Sequence, residues 1–110
     1  MGAERMEVLV DEAAAGIARI AVAGEIDVSC ADELREAIDE QLAAEPTQLE
    51  VDFSGVSYID STGIGVLVGA ARHCAESDIA FAVVNPQRMV ARVLRMLELD
   101  EELGVREDVE

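Results

Sequence analysis

The chain has no lysine and no tryptophan, one tyrosine and two phenylalanines. All eight of its cations are arginine, set against 24 acidic residues, which gives a formal net charge of -16 at pH 7. So little positive charge excludes nucleic acid as a partner, because phosphate binding needs clustered cations and counterion release. It disfavours anionic membrane surfaces, and acidic partners in general, on the same ground. Long apolar runs are also missing. The best, Ile64 to Ala71, falls far short of the roughly 20 residues that span a bilayer. The start, Met1-Gly2-Ala3-Glu4-Arg5-Met6, lacks a signal-peptide apolar region, and Met6 stands where a myristoylation pattern wants serine or threonine. Cys30 and Cys74 have no metal-like spacing and read as reduced core thiols. No metal and no cofactor is expected, and the expected address is cytoplasmic.

What the chain does have is apolar substance. At 110 residues and 51% hydrophobic content it suits one compact domain, residues 1–110, with a core over about 6–99 and an acidic tail over about 100–110. Such a domain buries roughly two-thirds of its unfolded surface, enough for one modest core without staples.

The elements follow from periodicity. Met6, Val8 and Val10 share one face of a strand ending near Asp11, a turn region reaches Gly16, and Ile17 to Ala23 forms the second arm of a hairpin. Gly24-Glu25-Ile26-Asp27 reads as a loop before a helix, with Ser29 and Asp32 as a capping-box-like start. Leu34, Ala37, Ile38 and Leu42 repeat at helical spacing while the charged residues between them face water, and Pro46 stops the run. Leu49 to Phe53 alternates as a strand, and a loop through Gly55 leads to a helix from Asp60-Ser61-Thr62-Gly63 to about Ala75. Ala80 to Val84 is a short strand closed by Asn85-Pro86. A last helix over about Gln87 to Leu97 carries Val90, Val93, Leu94 and Leu97 as its core stripe. Glu98 to Glu110 holds seven acids against Arg106 and reads as a solvated, fraying tail. The order β-β-α-β-α-β-α predicts an α/β fold: a small mixed β-sheet with an antiparallel first hairpin and helices packed on it.

Chemistry concentrates at Asp60-Ser61-Thr62-Gly63-Ile64-Gly65. Its hydroxyls sit where free N–H groups and the positive end of a helix dipole converge. Capping is the ordinary role of such residues, but the helix also contains Gly63, Gly65 and Gly69. Each costs about 0.5–1 kcal/mol relative to alanine, which a helix concedes where another backbone must approach. Ile64, Leu67, Val68, Ala71 and Cys74 supply a sheet-facing stripe, leaving Gly65, Val66, Gly69 and Ala70 as a smooth face elsewhere on the wheel. A hydroxyl at a helix start also tolerates a phosphate.

The stretch Val51 to Leu67, VDFSGVSYIDSTGIGVL, resembles the signature of STAS-domain anti-sigma factor antagonists. Gly24-Glu25-Ile26-Asp27 is similar to that family's loop before its first helix, and Val83-Val84-Asn85-Pro86 to its last strand and turn; the likeness runs from Met6 to Leu99. The resemblance implies phosphorylation at Ser61, directly after the motif aspartate, with Thr62 as its neighbour. It implies that Asp27 contacts the partner, an anti-sigma factor that is also a serine kinase using ATP, and that a metal-dependent serine phosphatase reverses the modification. The partner-binding surface implied is Asp27, Asp60, Ser61, Thr62, Gly63, Gly65, Val66 and Gly69. Where the family often has paired glycines before the last strand this chain has Glu76-Ser77-Asp78, and a glycine common after the last helix is replaced around Met96-Leu97-Glu98.

Enzymatic readings fare worse. Asp60-Ser61-Thr62-Gly63 has one residue too many for the aspartic-protease triplet. Gly63, Gly65 and Gly69 do not have dinucleotide-binding spacing, and there is no Walker lysine. His73 and Cys74 are adjacent on a helix and point apart, surface and core respectively. Arg88, Arg92 and Arg95 recur at helical spacing as a solvated stripe. The alternatives carried forward are an unphosphorylated STAS scaffold subunit and a small-ligand or nucleotide-binding regulator.

Overall fold

Ala18, Ile20, Val22 and Ile26 are buried along β2 (Ile17–Ile26) while Arg19, Ala21 and Ala23 between them are half-exposed, the period of two that a pleated strand imposes. The structure is a computed structural model and describes residues 6–14 and 16–107. β1 (Glu7–Ala14) pairs with β2 antiparallel, placing Val8 opposite Val22 and bringing Val8 and the buried Met6 to the core side. Val10, expected to be buried with them, is 54% exposed, because β1 forms an edge of the sheet. β1 also runs on to Ala14, taking in residues expected in the turn; Ala15 and Met1 to Arg5 lie outside the described residues.

From β2 the chain passes through α1 (Ala31–Leu42) to β3 (Gln48–Ile59), through α2 (Ser61–Glu76) to β4 (Ala80–Val84), and on to α3 (Arg88–Met96). β3 lies parallel to β2 and β4 parallel to β3, in sheet order β1-β2-β3-β4. The mixed sheet with its antiparallel hairpin is therefore the one the element order requires. α1 and α2 pack against each other, and α3 packs on β3. Phe53, Ile20, Ile26, Leu34, Ile38, Leu49 and Leu67 make up the centre of the core.

Four local expectations are corrected. Gly24-Glu25-Ile26 is strand, not loop, and β3 continues through Ser54 to Ile59, because these two ends pair with each other: Gly24 with Val56, Glu25 with Tyr58, Ile26 with Ile59. Small residues permit the contact. A Cβ on Gly55 would lie 2.8 Å from that of Ala23. At α1 the N-cap position is Cys30 and no side chain caps the helix; Ser29 is turned to Asp27 instead. α3 buries only Val90 and Leu94, leaving Val93 and Leu97 exposed.

The fourth correction concerns the tail. Leu103 is fully buried, and its carbonyl accepts from Val83 N at 3.0 Å. Arg106 forms a parallel bridge with Val84, donating to Val83 O at 3.0 Å and accepting from Asn85 N at 2.8 Å. Residues 98–107 thus cover the free edge of β4, whose unpaired backbone groups would otherwise invite another chain. Asp108 to Glu110 lie outside the described residues.

Candidate functional site

Parallel pairing of β2 and β3 ends at Ile26 and Ile59, and each strand is followed at once by an aspartate. Asp60 N donates to Ile26 O at 3.0 Å, so Asp27 and Asp60 leave the sheet side by side, at the carboxyl ends of adjacent strands. In open α/β sheets this edge is where loops converge on ligands and partners.

The two aspartates serve different turns. Asp60 is the N-cap of α2: its backbone is extended, its Oδ1 accepts from Gly63 N at 3.0 Å, and its carbonyl accepts from Ile64 N. Asp27 organises the turn into α1. Its Oδ1 accepts from the Ser29 hydroxyl at 2.6 Å and from Ser29 N at 2.9 Å, while its carbonyl accepts from Cys30 N and Ala31 N. The Ser29 hydroxyl and backbone N–H hold the Asp27 carboxyl below the usual carboxylate range, outweighing a small desolvation effect, with help from Cys30. Asp27 is therefore a fixed anion at neutral pH.

Ser61 is the first residue of α2 and Thr62 the second; both are exposed, and neither hydroxyl has a partner among the described residues. They point differently, since successive helical residues turn by about 100°. Thr62 lines a groove of about 300 Å³ between α1 and α2, with Gly65, Val66 and Gly69 beyond it on α2 and Asp32, Arg35 and Ile38 on the α1 side. Ser61, one residue earlier at the start of α2, is not part of the groove lining. A Cβ on Gly65 or Gly69 would meet nothing within 4 Å, so these glycines form the open face that their excess in α2 suggests.

Gly63 is different. It is buried, and a Cβ there would lie 2.7 Å from Ile26 Cγ2 and 2.8 Å from Ile59 Cγ1. It lets the first turn of α2 settle onto the ends of β2 and β3, so it positions the site from beneath and presents no surface. Ala70 is also buried, and Val68 is only half-buried. Asp27, Asp60, Ser61, Thr62, Gly65, Val66 and Gly69 are accessible at least in part.

The opposite wall escaped sequence reasoning. Arg35 ion-pairs with Asp32, three residues before it, and both border the groove. Read along α1 alone they are water-facing charges. The only signal was that α1 and α2 become neighbours when consecutive crossovers share a hand. His73 is exposed and Cys74 fully buried, with burial pushing the Cys74 thiol up. Among the described residues no group of His, Cys, Asp or Glu has the arrangement to hold a metal, and no helix is long and apolar enough to cross a membrane.

A four-stranded mixed sheet that delivers a helix start and an aspartate-led turn to one end of its central strands defines a small α/β domain. The chain belongs to the STAS domain family, whose profile matches residues 9–110. Among curated proteins it is similar to the anti-sigma-F factor antagonist RsfB of Mycobacterium tuberculosis, 34% identical over 85 residues, 77% of this chain and 69% of that one. It also matches an anti-sigma-B factor antagonist of Listeria monocytogenes, 49% identical over 51 residues, 46% of this chain and 45% of the other. Among solved structures, an anti-sigma factor antagonist from Mycobacterium paratuberculosis superposes with a TM-score of 0.83 at 27% identity, covering 92% of this chain and 85% of that one.

Proposed function

We propose that this chain is an anti-sigma factor antagonist: its unphosphorylated form binds an anti-sigma factor that is also a serine kinase, freeing the sigma factor, and phosphorylation of Ser61 blocks the binding. The names of the relatives support the class. One observation carries the switch: an exposed hydroxyl without a partner among the described residues, at the first residue of α2, next to Thr62 in a groove whose glycines leave room for another protein.

The work is binding, not catalysis by this chain. Asp27, Asp60, Ser61, Thr62, Gly65, Val66 and Gly69 form the docking surface, with Gly63 holding it in place. The partner kinase transfers the γ-phosphoryl group of ATP to Ser61 Oγ, releasing ADP, and a metal-dependent serine phosphatase removes it by hydrolysis. Phosphate adds about -1.5 to -2 charges beside two carboxylates. Free in water, it is stabilised by the α2 dipole by about 0.3–1 kcal/mol, so the fold need not change. Buried unpaired in the interface, it costs about 2–5 kcal/mol, roughly 30-fold to several thousandfold in affinity. The system works in the cytoplasm.

The test uses the purified cognate anti-sigma factor and calorimetry. Wild type and Ser61→Ala bind alike, Ser61→Asp binds at least about 30-fold more weakly, and kinase with ATP labels wild type but not Ser61→Ala. Equal binding by Ser61→Asp, or undiminished labelling of Ser61→Ala, would overturn the reading.

A further inference from the structure

α3 turns two stripes outward at once. At about 100° per residue, Arg88, Arg92 and Arg95 share one side of the helix, pointing away from the buried Val90 and Leu94. Met89, Val93 and Met96 lie on the flank between, 75%, 39% and 72% exposed. A one-residue offset therefore sets an i, i+4, i+7 arginine row alongside an i, i+4, i+7 apolar row. Neither row has a use in the fold.

Charge sharpens the contrast. The other arginines among the described residues are engaged: Arg19 and Arg106 with Glu50, Arg35 with Asp32, Arg72 with Glu102. Arg88, Arg92 and Arg95 make no ion pair or hydrogen bond among the described residues. Arg95 shares a cleft with Glu98, Asp100 and Glu101, so part of its charge is offset locally. Arg88 and Arg92 have no such neighbours on their own element.

We propose that the outer face of α3 is a second docking surface, separate from the α1–α2 groove, and that its occupant is an acidic amphipathic helix of another protein. An amphipathic helix recognises a partner through anchors at i, i+4 and i+7, the spacing that Met89, Val93 and Met96 offer. Carboxylates flanking its apolar row meet Arg88 and Arg92, whose planar guanidinium groups pair with carboxylates through two N–H donors. Methionine suits the apolar half because its unbranched thioether adapts to varied side chains. A second copy of this chain fits poorly. An isologous contact would set two arginine rows against each other, and the acidic face of α1 has no exposed large apolar residue to cover Met89 and Met96. An anionic bilayer would face the full charge of -16 over a plane, whereas a single helix meets only the local stripe.

The experiment titrates the full chain with a synthetic helical peptide carrying leucine at i, i+4 and i+7 and glutamate on both flanks, followed by amide chemical-shift mapping and fluorescence anisotropy. Shifts concentrate on Met89 to Leu97. Affinity falls at least about tenfold in Arg88→Gln/Arg92→Gln and again in Met89→Ser/Met96→Ser, and it weakens at about 0.5 M salt. All four residues are exposed, so the variants keep the fold, which melting curves verify. The proposal is overturned by shifts confined to the α1–α2 groove, by unchanged affinity in either double variant, or by equal binding of a peptide with glutamine for glutamate. Concentration-dependent shifts on α3 without peptide would assign the face to a second copy, and stronger binding to phosphatidylglycerol vesicles than to peptide would assign it to membranes. Either result also overturns the proposal. The Ser61 switch stands or falls separately.

Discussion

Glycine is present where α2 needs it and absent where two helices would accept it. α3 ends with Leu99 N donating to Leu94 O at 2.9 Å and Glu98 N to Arg95 O at 2.9 Å, the paired bonds of a Schellman turn, which hold Glu98 at φ 60°. α2 ends the same way: Ile79 N reaches Cys74 O at 2.8 Å, and Asp78 sits at φ 59°. These are the positions where the family resemblance led us to expect glycine. The left-handed conformation costs a residue with a Cβ about 1–2 kcal/mol, and glycine's greater freedom in the unfolded chain returns part of that. Glu98→Gly is therefore expected to stabilise the fold by about 0.5–1 kcal/mol, raising Tm by roughly 2–6 °C in calorimetry. Gly63→Ala has the opposite sign. Its methyl would press on Ile26 and Ile59, and overpacking of this kind costs about 1–3 kcal/mol, measurable by urea unfolding.

Among the elements, α2 separates stability from binding. Of its inward stripe, readable from spacing alone, Ile64, Leu67, Ala71 and Cys74 are buried, whereas Val68 is only half-buried. Its outward side was readable only as an excess of glycine, and which glycine faced where needed the neighbouring strands. Gly63 touches residues about 4 and 37 positions away in the chain, and no local pattern reports that. Likewise the later halves of β2 and β3 looked like loops because Gly24, Ser54, Gly55 and Ser57 are turn formers, yet their mutual pairing overrides that preference. Leu99, Leu103 and Val105 were hidden in an acidic run whose charge suggested solvation. At Gly69 a side chain would extend into open groove. Gly69→Leu should thus leave the melting temperature unchanged or slightly higher, since leucine is the better helix former by about 0.8 kcal/mol. It should weaken binding to the anti-sigma partner at least about tenfold. A variant that melts normally and still binds fully would remove the groove from the docking surface.

At the scale of the whole molecule the difficulty is excess negative charge, and two of the scarce arginines, Arg19 on β2 and Arg106 beside β4, meet it on the sheet. Glu50, nearly buried, accepts from Arg19 at 2.9 Å, Arg106 at 2.6 Å and Gln48 at 2.7 Å, so one carboxylate ties β2, β3 and the C-terminal segment together. Asp52 extends the network, accepting from Arg19 at 3.3 Å and from Ser54 N at 2.9 Å. Burial alone would raise the Asp52 pKa, but the Ser54 N–H and hydroxyl and the Arg19 guanidinium together outweigh it and hold the carboxyl below its ordinary value. A carboxylate held low in the native state contributes stability that is fully present above the unfolded value, about 3.9 for aspartate. That contribution is lost as pH falls through the lower native value. Asp52→Asn should accordingly cost about 1 kcal/mol at pH 7, the worth of a charge-assisted hydrogen bond discounted for partial exposure. The gap between wild type and variant should begin to close as pH drops below about 4 and vanish only below the lower native value, where both carry a neutral side chain. Urea unfolding at about 0.15 M salt, where distant repulsion is screened beyond roughly 8 Å, reads this directly. A gap that is the same at neutral and acid pH would mean that Asp52 acts through its shape alone, with no part in the electrostatic clasp.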